Sequence, residues 1–437
     1  MSIFEQFSYK RYDFTTEYSR MYGSMPRSIT FVVTEACNLC CSYCYQHNKT
    51  ARVMPFEVAK KCVDVLFDED ARNSPYINPD EADSIVLDFI GGEPMLEIKL
   101  IDKIVDYFLE KAIMLNHRWA IKHMISMSTN GTKYFEPEVQ AFLKKHDGRV
   151  SIGITIDGDE TLHDSCRKYP DGRGSYREAA AAFHAILKQH HQDGTKLTLA
   201  PANIMYLASA TKHMFQEFDI HALHANCVFE RGWTNEHATI MYEQLKELAD
   251  WILDNNYEAR YRLSLFDASR YVPMSPEDNQ NWCGGTGKML AFGVNGEIYP
   301  CQRYSPASLG PDVKPLIVGD ISHGIEKTSD ECATCAMLRD ITRRSQSTDE
   351  CWECPIAAGC AWCSAYNYET FGTPNKRATF ICCMHKAEAL ANVYYWNKLA
   401  RKLGVAERFK MYLPKAQALE IISEDEYKLL LNLSAQG

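Results

Sequence analysis

The stretch Cys37-Asn-Leu-Cys-Cys-Ser-Tyr-Cys44 places three thiols at the spacing C-x3-C-x2-C. It directly follows residues 28–34, a run of β-branched and apolar residues that is typical of a buried strand. The thiols are therefore expected on a loop at the carboxyl end of a strand, where α/β enzymes carry their chemistry. Three cysteine thiolates can bind three irons of a four-iron, four-sulfur cluster and leave the fourth iron open. We interpret Cys37, Cys41 and Cys44 as the ligands of such a cluster.

The competing interpretation of this loop is a zinc site or a group of buried structural thiols. Zinc sites usually combine a C-x2-C pair with a second pair or with a histidine further along the chain. The nearest histidine, His47, fits that spacing poorly. Cys40 is a fourth thiol within the motif and is expected to take no part. The spacing favours the iron–sulfur cluster.

The composition excludes several classes of protein. A chain of 437 residues is long enough for two or three domains with a large core. The formal net charge of −10 argues against a nucleic-acid groove, which needs clustered Lys and Arg. No run approaches the roughly 18 apolar residues of a membrane span, and residues 1–10 lack the apolar core of a secretory signal. We therefore expect a cytoplasmic protein with neither a nucleic-acid nor a membrane partner.

The chain carries 17 cysteines, and most of them lie between Cys283 and Cys383. Without a secretory signal these residues are expected to be reduced thiols rather than disulfides. The segment from Asn281 onward is rich in loops and is too irregular to be held together by apolar burial alone. Metal clusters would supply the missing cross-links. Cys62, Cys166 and Cys227, outside this segment, are expected to pack as small apolar residues, as free Cys commonly does.

Strand-like and helix-like runs alternate from residue 28 to residue 229. The predicted strands cover residues 28–34, 84–90, 124–129, 150–156, 197–201 and 220–229. The predicted helices cover residues 55–67, 96–115, 137–145, 175–190 and 208–218, followed by 237–255, 380–403 and 424–432. Six strand–helix units with right-handed crossovers predict a parallel sheet curved into an open, partial barrel, with functional loops on its upper rim.

Two further motifs identify a family. Gly91-Gly92-Glu93-Pro94 follows the second predicted strand, and Ser128-Thr-Asn-Gly131 follows the third. With the cysteine motif before them, they resemble the radical S-adenosylmethionine enzymes over residues 28 to about 230, and the joint order of the motifs is specific. The resemblance implies a partial (β/α)6 TIM-like barrel. It also implies that S-adenosylmethionine binds the open iron and is cleaved by one electron to a 5′-deoxyadenosyl radical, which abstracts hydrogen.

The resemblance also assigns contacts to the cofactor. Gly91 and Gly92 would allow close backbone approach, and Glu93 would accept from the methionine ammonium. Arg167 would pair with the methionine carboxylate, and Tyr43 would lie near the adenine. The remaining implied cofactor residues are Pro94, Ser128, Asn130 and Asp157. The alternative for each position is a strand-end or turn residue whose hydrogen bonds are satisfied within the chain.

The cysteine-rich half resembles the SPASM extension, which carries two auxiliary iron–sulfur clusters in peptide-modifying radical enzymes. Cys283, Gly296 and Cys301 follow the pattern C-x12-G-x4-C, and a second run of cysteines spans residues 351–363. The gap between Cys360 and Cys363 is x2, where the usual pattern has x3. By resemblance, the first auxiliary cluster binds Cys283, Cys301 and Cys363, and the second binds Cys351, Cys354, Cys360 and Cys382, with Cys383 able to replace Cys382. The implied total is three 4Fe-4S clusters.

Two questions about these cysteines stay open at the level of sequence. The first auxiliary cluster has three identified ligands, so either Cys332 or Cys335 completes it or an iron is open to a substrate thiolate. Alternatively, Cys332, Cys335, Cys351 and Cys354 fit the spacing of a zinc ribbon. That assignment would leave Cys360, Cys363 and Cys382 without a role.

We expect the chain to divide into an N-terminal extension (1–27), a radical S-adenosylmethionine barrel (28–235), a helical linker (236–280), a SPASM domain (281–404) and a C-terminal tail (405–437). Only 36 residues precede Cys37, too few for a winged-helix domain of about 80 residues that would hold a peptide leader.

Residues 233–238, 343–351 and 371–382 resemble radical maturases that act on peptide precursors with repeated Cys-x-x-x units. The resemblance implies thioether formation in a cysteine-containing precursor peptide, a flavodoxin- or ferredoxin-type electron donor, and a monomer.

The alternatives are a carbon–carbon peptide cyclase and an anaerobic sulfatase maturase, which oxidises Cys or Ser to formylglycine. In sulfatase maturases an aspartate base follows the cysteine that matches Cys301, whereas Gln302 here cannot take a proton in that way. A zinc-bound interaction scaffold is the remaining, non-catalytic alternative.

Overall fold

The structure is a computed structural model and describes residues 2–8, 26–68, 76, 83–190, 194–281 and 283–435. The strands are β1 Arg27–Thr34, β2 Ile85–Gly91, β3 His123–Thr129, β4 Val150–Ile154, β5 Gly194–Leu199, β6 Ala222–Cys227, β7 Arg262–Leu263, β8 Leu290–Phe292, β9 Glu297–Tyr299, β10 Gly319–Asp320 and β11 Gly324–Ile325. Single 3-10 turns cover Pro94–Glu97, Arg118–Ala120, Ile204–Tyr206 and Gln302–Tyr304.

The α-helices are α1 Ile3–Phe7, α2 Phe56–Phe67, α3 Ile98–Met114, α4 Pro137–Lys145, α5 Glu160–Cys166, α6 Tyr176–His190, α7 Leu207–Phe218, α8 Asn235–Asp254, α9 Ser329–Arg339, α10 Arg343–Gln346, α11 Asp349–Trp352, α12 Ser364–Phe371, α13 Cys382–Lys402, α14 Lys415–Ala418 and α15 Glu424–Ser434. None of these helices is both long enough and apolar enough to cross a membrane.

Strand β1 lies at the centre of the larger sheet. Its residues alternate between two apolar layers, and seven of its eight positions are buried, as expected for a parallel strand covered on both faces. The sheet order is β11-β10-β9-β8-β1-β2-β3-β4, in which β1 to β4 and β8 run parallel. Strands β5, β6 and β7 form a second parallel sheet, and a bridge between Thr155 and Lys196 joins the two sheets at β4 and β5.

The predicted partial barrel is confirmed. The six predicted strands occur in the predicted order, and the helices between them bury their apolar faces against the sheet. In α2 these buried residues recur at helical spacing and include Ala59, Cys62, Val63 and Leu66. The structure adds β7 beyond β6 and β8 beyond β1. Two- and three-residue strands are too short to produce a recognisable period, which explains why the sequence did not predict them.

Helix α5 is also new relative to the sequence analysis, which placed no helix between the fourth strand and residue 175. Asp159 caps it by accepting a hydrogen bond from the Leu162 backbone N–H at 2.9 Å. The helix ends at Cys166, so that Arg167 is fixed at its C-terminal end. The fifth strand is shifted as well, since it covers Gly194–Leu199 rather than 197–201.

Strand pairing and helix packing both attach the cysteine-rich half to the rest of the chain. Strand β8 pairs in parallel with β1, with Thr30 opposite Ala291. Helix α13 is buried along most of its length and packs against α8, and its Asn392 donates a hydrogen bond to the Leu265 carbonyl at 2.7 Å. The sheet is therefore continuous across residue 281, where we expect a domain boundary. The division into five segments stays a prediction, and most of the predicted N-terminal extension, residues 9–25, lies outside the described residues.

Candidate active site

The loop that carries Cys37 is joined to the end of β2 by backbone hydrogen bonds. The Gly92 N–H donates to the Thr34 carbonyl at 3.0 Å, and the Glu93 N–H donates to the Ala36 carbonyl at 2.9 Å. A Cβ atom on Gly92 would lie 2.2 Å from the Ala36 oxygen, and one on Gly91 would lie 2.4 Å from the Thr34 oxygen. The backbone of these two glycines thus lies close to the chain that leads into the cysteine loop. A side chain at either position would clash with it, so only glycine fits.

A second set of backbone bonds holds the other side of the cysteine loop. The Cys40 N–H donates to the Lys168 carbonyl at 2.7 Å, and the Ser42 N–H donates to the Cys166 carbonyl at 2.9 Å. Both acceptors lie at or just beyond the end of α5. The loop is therefore fixed between two neighbouring elements of the barrel rim, although it has no regular secondary structure of its own.

Glu93 lies beneath this loop with 1% of its surface exposed. Its carboxylate accepts hydrogen bonds from Thr129 Oγ1 at 2.6 Å, from the Asn130 N–H at 2.8 Å and from the Met95 N–H at 2.9 Å. Burial raises the pKa of Glu93, and these three donors oppose that rise. The carboxylate is consequently positioned by the chain itself, with Pro94 starting the 3-10 turn that follows it.

Asn130 and Ser128 have different surroundings, although the sequence placed both in one cofactor-binding group. The Asn130 side chain accepts from the N–H of Thr132 at 3.0 Å and donates to Asn38 Oδ1 at 2.8 Å. It therefore closes a turn and supports the cysteine loop. Ser128, by contrast, is exposed toward the cavity at the end of β3.

Tyr43, Asp157 and Arg167 form one buried network. The Tyr43 hydroxyl donates to Asp157 Oδ2 and accepts from Arg167 at 2.8 Å, while the Thr198 N–H donates to Asp157 Oδ1 at 3.2 Å. Burial raises the pKa of Asp157, and the nearby guanidinium opposes the rise. Arg167 is 8% exposed and its Nε atom is buried without a hydrogen-bond partner. The Arg167 guanidinium therefore has one buried N–H group, at Nε, that no group among the described residues accepts.

His163 belongs to the same network, and the sequence analysis did not single it out. Its Nδ1 accepts from the Asp157 N–H at 3.2 Å, and its Nε2 lies 3.1 Å from Ser175 Oγ. Because the Ser175 hydroxyl donates to the Arg167 carbonyl, the hydrogen-bond pattern assigns the ring proton to Nε2. Burial and the charge of Arg167 lower the pKa of His163 to about 3, so the ring is neutral.

A cavity of about 400 Å³ lies at the carboxyl ends of the barrel strands, and Tyr43, Glu93 and Arg167 are among the residues that line it. The volume lies within the range of small-molecule binding sites. Most of the predicted cluster and cofactor residues of the barrel line the cavity, whereas Pro94 and Asp157 do not. The lining also includes Cys227, Glu230 and Arg303, none of which the sequence analysis placed in the site. The sequence could have indicated Glu230, because this residue directly follows the sixth predicted strand, at the rim of the barrel where functional loops are expected.

The cysteines of the second half fall into two groups. The charges of Cys283 and Cys363 act on the Cys301 thiol, and Cys283 Sγ lies 3.0 Å from Ser364 Oγ. Burial raises the pKa values of Cys301 and Cys363. The structure thus brings together the three thiols predicted for the first auxiliary cluster.

The second group contains the four thiols predicted for the second auxiliary cluster. The charges of Cys351, Cys354 and Cys360 all act on Cys382, whose pKa is raised to about 12, chiefly by burial. Cys383 lies apart from this group, because its Sγ donates to the Phe380 carbonyl at 3.6 Å. Between the two adjacent residues, Cys382 is therefore the one directed at the other three thiols.

Cys332 and Cys335 on α9 have other partners. The Cys332 thiol donates to the Glu326 carbonyl at 3.1 Å, and the Cys335 sulfur accepts from the Tyr76 hydroxyl at 3.8 Å. These contacts support neither cysteine as the fourth ligand of the group around Cys301.

The spacing of the sulfur atoms bears on the zinc alternatives. A tetrahedral zinc ion with Zn–S bonds of ~2.3 Å holds its sulfurs about 3.8 Å apart. Among the described residues, which include all the cysteines, no three thiols lie within 4.8 Å of one another. The thiol groups are thus spread more widely than one zinc ion requires, whereas a cluster binds its cysteines at separate irons. The one described set that meets the limit, Asp102, Asp106 and His146, already binds the Lys145 ammonium.

Comparisons with known proteins agree with this geometry. A family model described as a 4Fe-4S single cluster domain matches residues 23–181. An uncharacterized protein of Methanocaldococcus jannaschii is 28% identical over 62% of this chain and 82% of its own length. A serine-type anaerobic sulfatase-maturating enzyme of Bacteroides thetaiotaomicron is 22% identical over 62% of this chain and 68% of its own. The antilisterial bacteriocin subtilosin biosynthesis protein AlbA of Bacillus subtilis is 23% identical over 72% and 61%.

Two solved structures share the fold. Native anSMEcpe with bound AdoMet and the Cp18Cys peptide superimposes with a TM-score of 0.60 at 18% identity, over 87% of this chain and 98% of its own. Streptococcus suis SuiB bound to the precursor peptide SuiA gives a TM-score of 0.52 at 13% identity, over 84% and 78%. At these identities the likeness concerns the fold, and it extends over the barrel and the cysteine-rich half alike.

Proposed function

We propose that this chain, a radical S-adenosylmethionine enzyme of the peptide and protein maturase group, joins a cysteine of a ribosomally made precursor peptide to a carbon of that peptide as a thioether. The single observation that carries the proposal is the cavity itself. Cys37, Cys41 and Cys44 line it, and so does Arg303, whose charge acts on Cys363. A peptide in this cavity would face both the radical site and the first auxiliary group of thiols.

The residues present fit the cofactors that the family uses. The three thiols of the cysteine loop share one wall, and burial raises the pKa of Cys37 to about 11, so a bound metal would be needed to hold it as a thiolate. The unused Nε donor of Arg167 fits a carboxylate, and the exposed Ser128 hydroxyl fits a ribose. When bound, the cluster and S-adenosylmethionine supply the 5′-deoxyadenosyl radical that removes a hydrogen atom from the substrate.

The chain's own residues would do the binding and the positioning. Arg167 would hold the methionine carboxylate, and its guanidinium is kept in place by Tyr43, which Asp157 orients in turn. Glu93, fixed by its three donors, would accept from the methionine ammonium through its remaining lone pair. Asn130 would act indirectly, by supporting Asn38 in the cysteine loop.

The two cysteine groups of the second half would hold auxiliary clusters. Cys351, Cys354, Cys360 and Cys382 provide four donors, which is a complete set for a four-iron cluster. Cys283, Cys301 and Cys363 provide three, and Cys332 and Cys335 have other partners. A substrate cysteine is a donor of the right chemistry for the remaining position, which supports a cysteine-containing peptide as the substrate. The peptides named in the anSMEcpe and SuiB structures support the same substrate class.

Electrons would come from a flavodoxin- or ferredoxin-type donor to a monomeric enzyme in the cytoplasm, where thiols stay reduced.

The test is to incubate the reconstituted, reduced protein with S-adenosylmethionine and a cysteine-containing precursor. We expect 5′-deoxyadenosine and a peptide that has lost two hydrogens per bridge and one alkylatable thiol per bridge. The Cys41→Ala variant is the matched control and should yield neither product. An unchanged peptide from the wild-type protein would overturn the proposal.

The second candidate is formylglycine formation, favoured by the similarity to the serine-type anaerobic sulfatase-maturating enzyme of Bacteroides thetaiotaomicron. Gln302 argues against it, because an amide directly after Cys301 cannot accept a proton as a carboxylate does. The same assay separates the two reactions. Formylglycine formed from cysteine loses the sulfur of the peptide, whereas a thioether keeps it.

A further inference from the structure

Glu230 and Arg303 form an ion pair in the lining of the cavity that Cys37, Cys41 and Cys44 also line. Glu230 lies in the connection that follows β6, and Arg303 lies two residues after Cys301, so the pair joins the barrel rim to the first auxiliary group. The two side chains are 26% and 13% exposed, and both line the cavity. They are thus largely shielded from bulk water while remaining open to a bound substrate.

Among the residues that the structure describes, two carboxylates line this cavity. They differ in exposure and in the number of hydrogen bonds that they already accept from the chain. Glu93 is 1% exposed and accepts three hydrogen bonds from the chain. Glu230 receives its ion pair from Arg303 alone, and a quarter of its side chain is open. Of the two, Glu230 is the carboxylate that can still accept a proton from a substrate.

Arg303 is well fixed in its position. Its guanidinium lies over the rings of Tyr45 and Tyr366, with 5.4 and 5.6 Å to the two ring centres. Its Nε is buried without a hydrogen-bond partner, and its positive charge acts on the Cys363 thiol. A cation that keeps an unused donor beside a group of thiols favours the thiolate form of a further thiol placed next to it.

We propose that Glu230 is the general base that removes the thiol proton of the substrate cysteine, and that Arg303 orients Glu230 and stabilises the resulting thiolate. This inference rests on the function proposed above. The S–H bond of the peptide breaks, the carboxylate gains the proton as a carboxylic acid, and the sulfur keeps the electron pair as thiolate. No electron is transferred in this step, and the proton leaves to solvent through the exposed part of the Glu230 side chain.

The need for a base follows from the chemistry of the substrate. A cysteine thiol with a pKa of about 8.5 is mostly protonated at neutral pH, and the thiolate is the nucleophilic form. Gln302, the neighbour of Cys301, offers no proton acceptor of this kind. Glu230 supplies the missing carboxylate from the barrel instead of from the cysteine-rich half.

The test compares Glu230→Gln with Glu236→Gln, a substitution of an exposed glutamate in the first turn of α8. In Glu230→Gln the new amide side chain keeps the size of the glutamate and loses the proton acceptor. At pH 7 we expect bridging by the Glu230 variant to fall by about 10²- to 10⁴-fold, the usual contribution of a general base. Its yield of 5′-deoxyadenosine should stay within about twofold of wild type, and the deficit in bridging should shrink above about pH 9, where the thiol ionises unaided. The Glu236 variant should behave as wild type in both measurements.

A second readout does not depend on turnover. The electron paramagnetic resonance spectrum of the reduced protein is recorded on addition of the precursor peptide across a pH series. The pH midpoint of the peptide-induced change should lie higher in Glu230→Gln than in wild type by about one unit or more, toward the pKa of the free thiol. Equal midpoints, or bridging by Glu230→Gln at the wild-type rate, would overturn the proposal. So would a parallel loss of 5′-deoxyadenosine, because it would assign Glu230 to the cofactor.

The outcomes separate this proposal from the function on which it rests. If the wild-type protein forms no bridge, the thioether function fails, while the pH midpoints still show whether Glu230 controls ionisation of the peptide thiol. If the wild-type protein forms the bridge and the variant does so equally well, the thioether function stands and the role of Glu230 is refuted.

Discussion

The barrel and the cysteine-rich half position their thiols in opposite ways. The barrel strands β1 to β6 are five to eight residues long, and the cysteine loop is attached to a sheet that apolar burial already holds in place. Between Cys283 and Cys383 the strands have two or three residues, and the thiols predicted as ligands sit in loops, in the four-residue α11 and at the start of α13. In the first region the fold places the metal ligands, whereas in the second the metal is expected to hold the fold.

Removal of the metal should produce the largest difference between the two regions. We expect the chelated protein to lose amide protection across residues 345–363 by about a hundredfold or more, because local unfolding then proceeds without the cluster cross-links. Strands β1 to β4 should keep their protection, since their buried residues do not depend on the thiols. Hydrogen exchange followed by mass spectrometry measures both regions in one sample. Equal loss in the two regions would show that the barrel also requires metal.

Within the barrel, Gly92→Ala should have the largest effect of a single substitution. The new Cβ would lie 2.2 Å from the Ala36 oxygen, so the cysteine loop and the end of β2 have to separate. We expect a loss of roughly 1–3 kcal/mol in the free energy of unfolding and a fall of 5′-deoxyadenosine formation by about a hundredfold. Gly153→Ala is the matched control, because its nearest contact is Ser128 Oγ at 3.9 Å. Thermal unfolding and turnover of the two variants decide the matter.

In the cysteine-rich half, single cysteine substitutions should distinguish thiols that bind metal from thiols that only pack in the interior. Cys382→Ala is expected to reduce the iron content by about four atoms per chain, because its thiol belongs to the second auxiliary group. Cys383→Ala and Cys335→Ala should leave the iron content unchanged, as their sulfurs contact Phe380 and Tyr76. Iron and sulfide are counted per chain. A loss of iron in Cys383→Ala would reverse the assignment of the two adjacent residues.

The smallest predicted effect concerns a histidine at the barrel rim. The pKa of His163 is lowered to about 3, so between about pH 6.5 and 3 the unfolded chain binds a proton that the folded chain does not. The stabilising contribution of the neutral ring is therefore complete above pH 6.5 and is lost as the pH falls, by up to about 1.4 kcal/mol per pH unit. In His163→Gln the urea-unfolding free energy should fall less between pH 7.5 and 5.5 than it does in wild type. His184→Gln, at an exposed position, is the control and should keep the wild-type slope.

The elements that were predicted correctly are those whose signal lies in a local repeat. Period-two and helical patterns located the six barrel strands and the long helices, and they located the ends of the strands where Glu93, Ser128 and Asp157 stand. Cysteine spacing located the cysteine loop, whereas the division of the later thiols into two groups came from the resemblance to the SPASM extension, because Cys363 lies in one run with Cys351, Cys354 and Cys360. Strands β7 and β8 were missed because two or three residues carry no period, and their pairing depends on distant parts of the chain.

The roles of single polar residues were harder to predict, because they depend on partners far apart in sequence. Asn130 occupies a motif position, yet its side chain supports Asn38, which lies 92 residues away. His163 was not considered in the sequence analysis, and its neutral state follows from burial that no local pattern reveals. Glu230 acquires its partner from the segment after Cys301, 73 residues later. Contacts of this kind form only when distant parts of the chain come together in the folded protein.

The pairing of β8 with β1 also limits how the molecule can be divided. Residues Leu290–Phe292 cover the edge of β1 opposite Ile29–Phe31, in the centre of the larger sheet. A barrel cut before residue 281 would expose the backbone donors and acceptors of β1, a strand with seven of its eight positions buried, and an open edge of that kind recruits strands from other molecules. Shortened forms of the protein should therefore self-associate, and a chimera that exchanges the cysteine-rich half with a relative has to keep a β8 strand matched to its own β1.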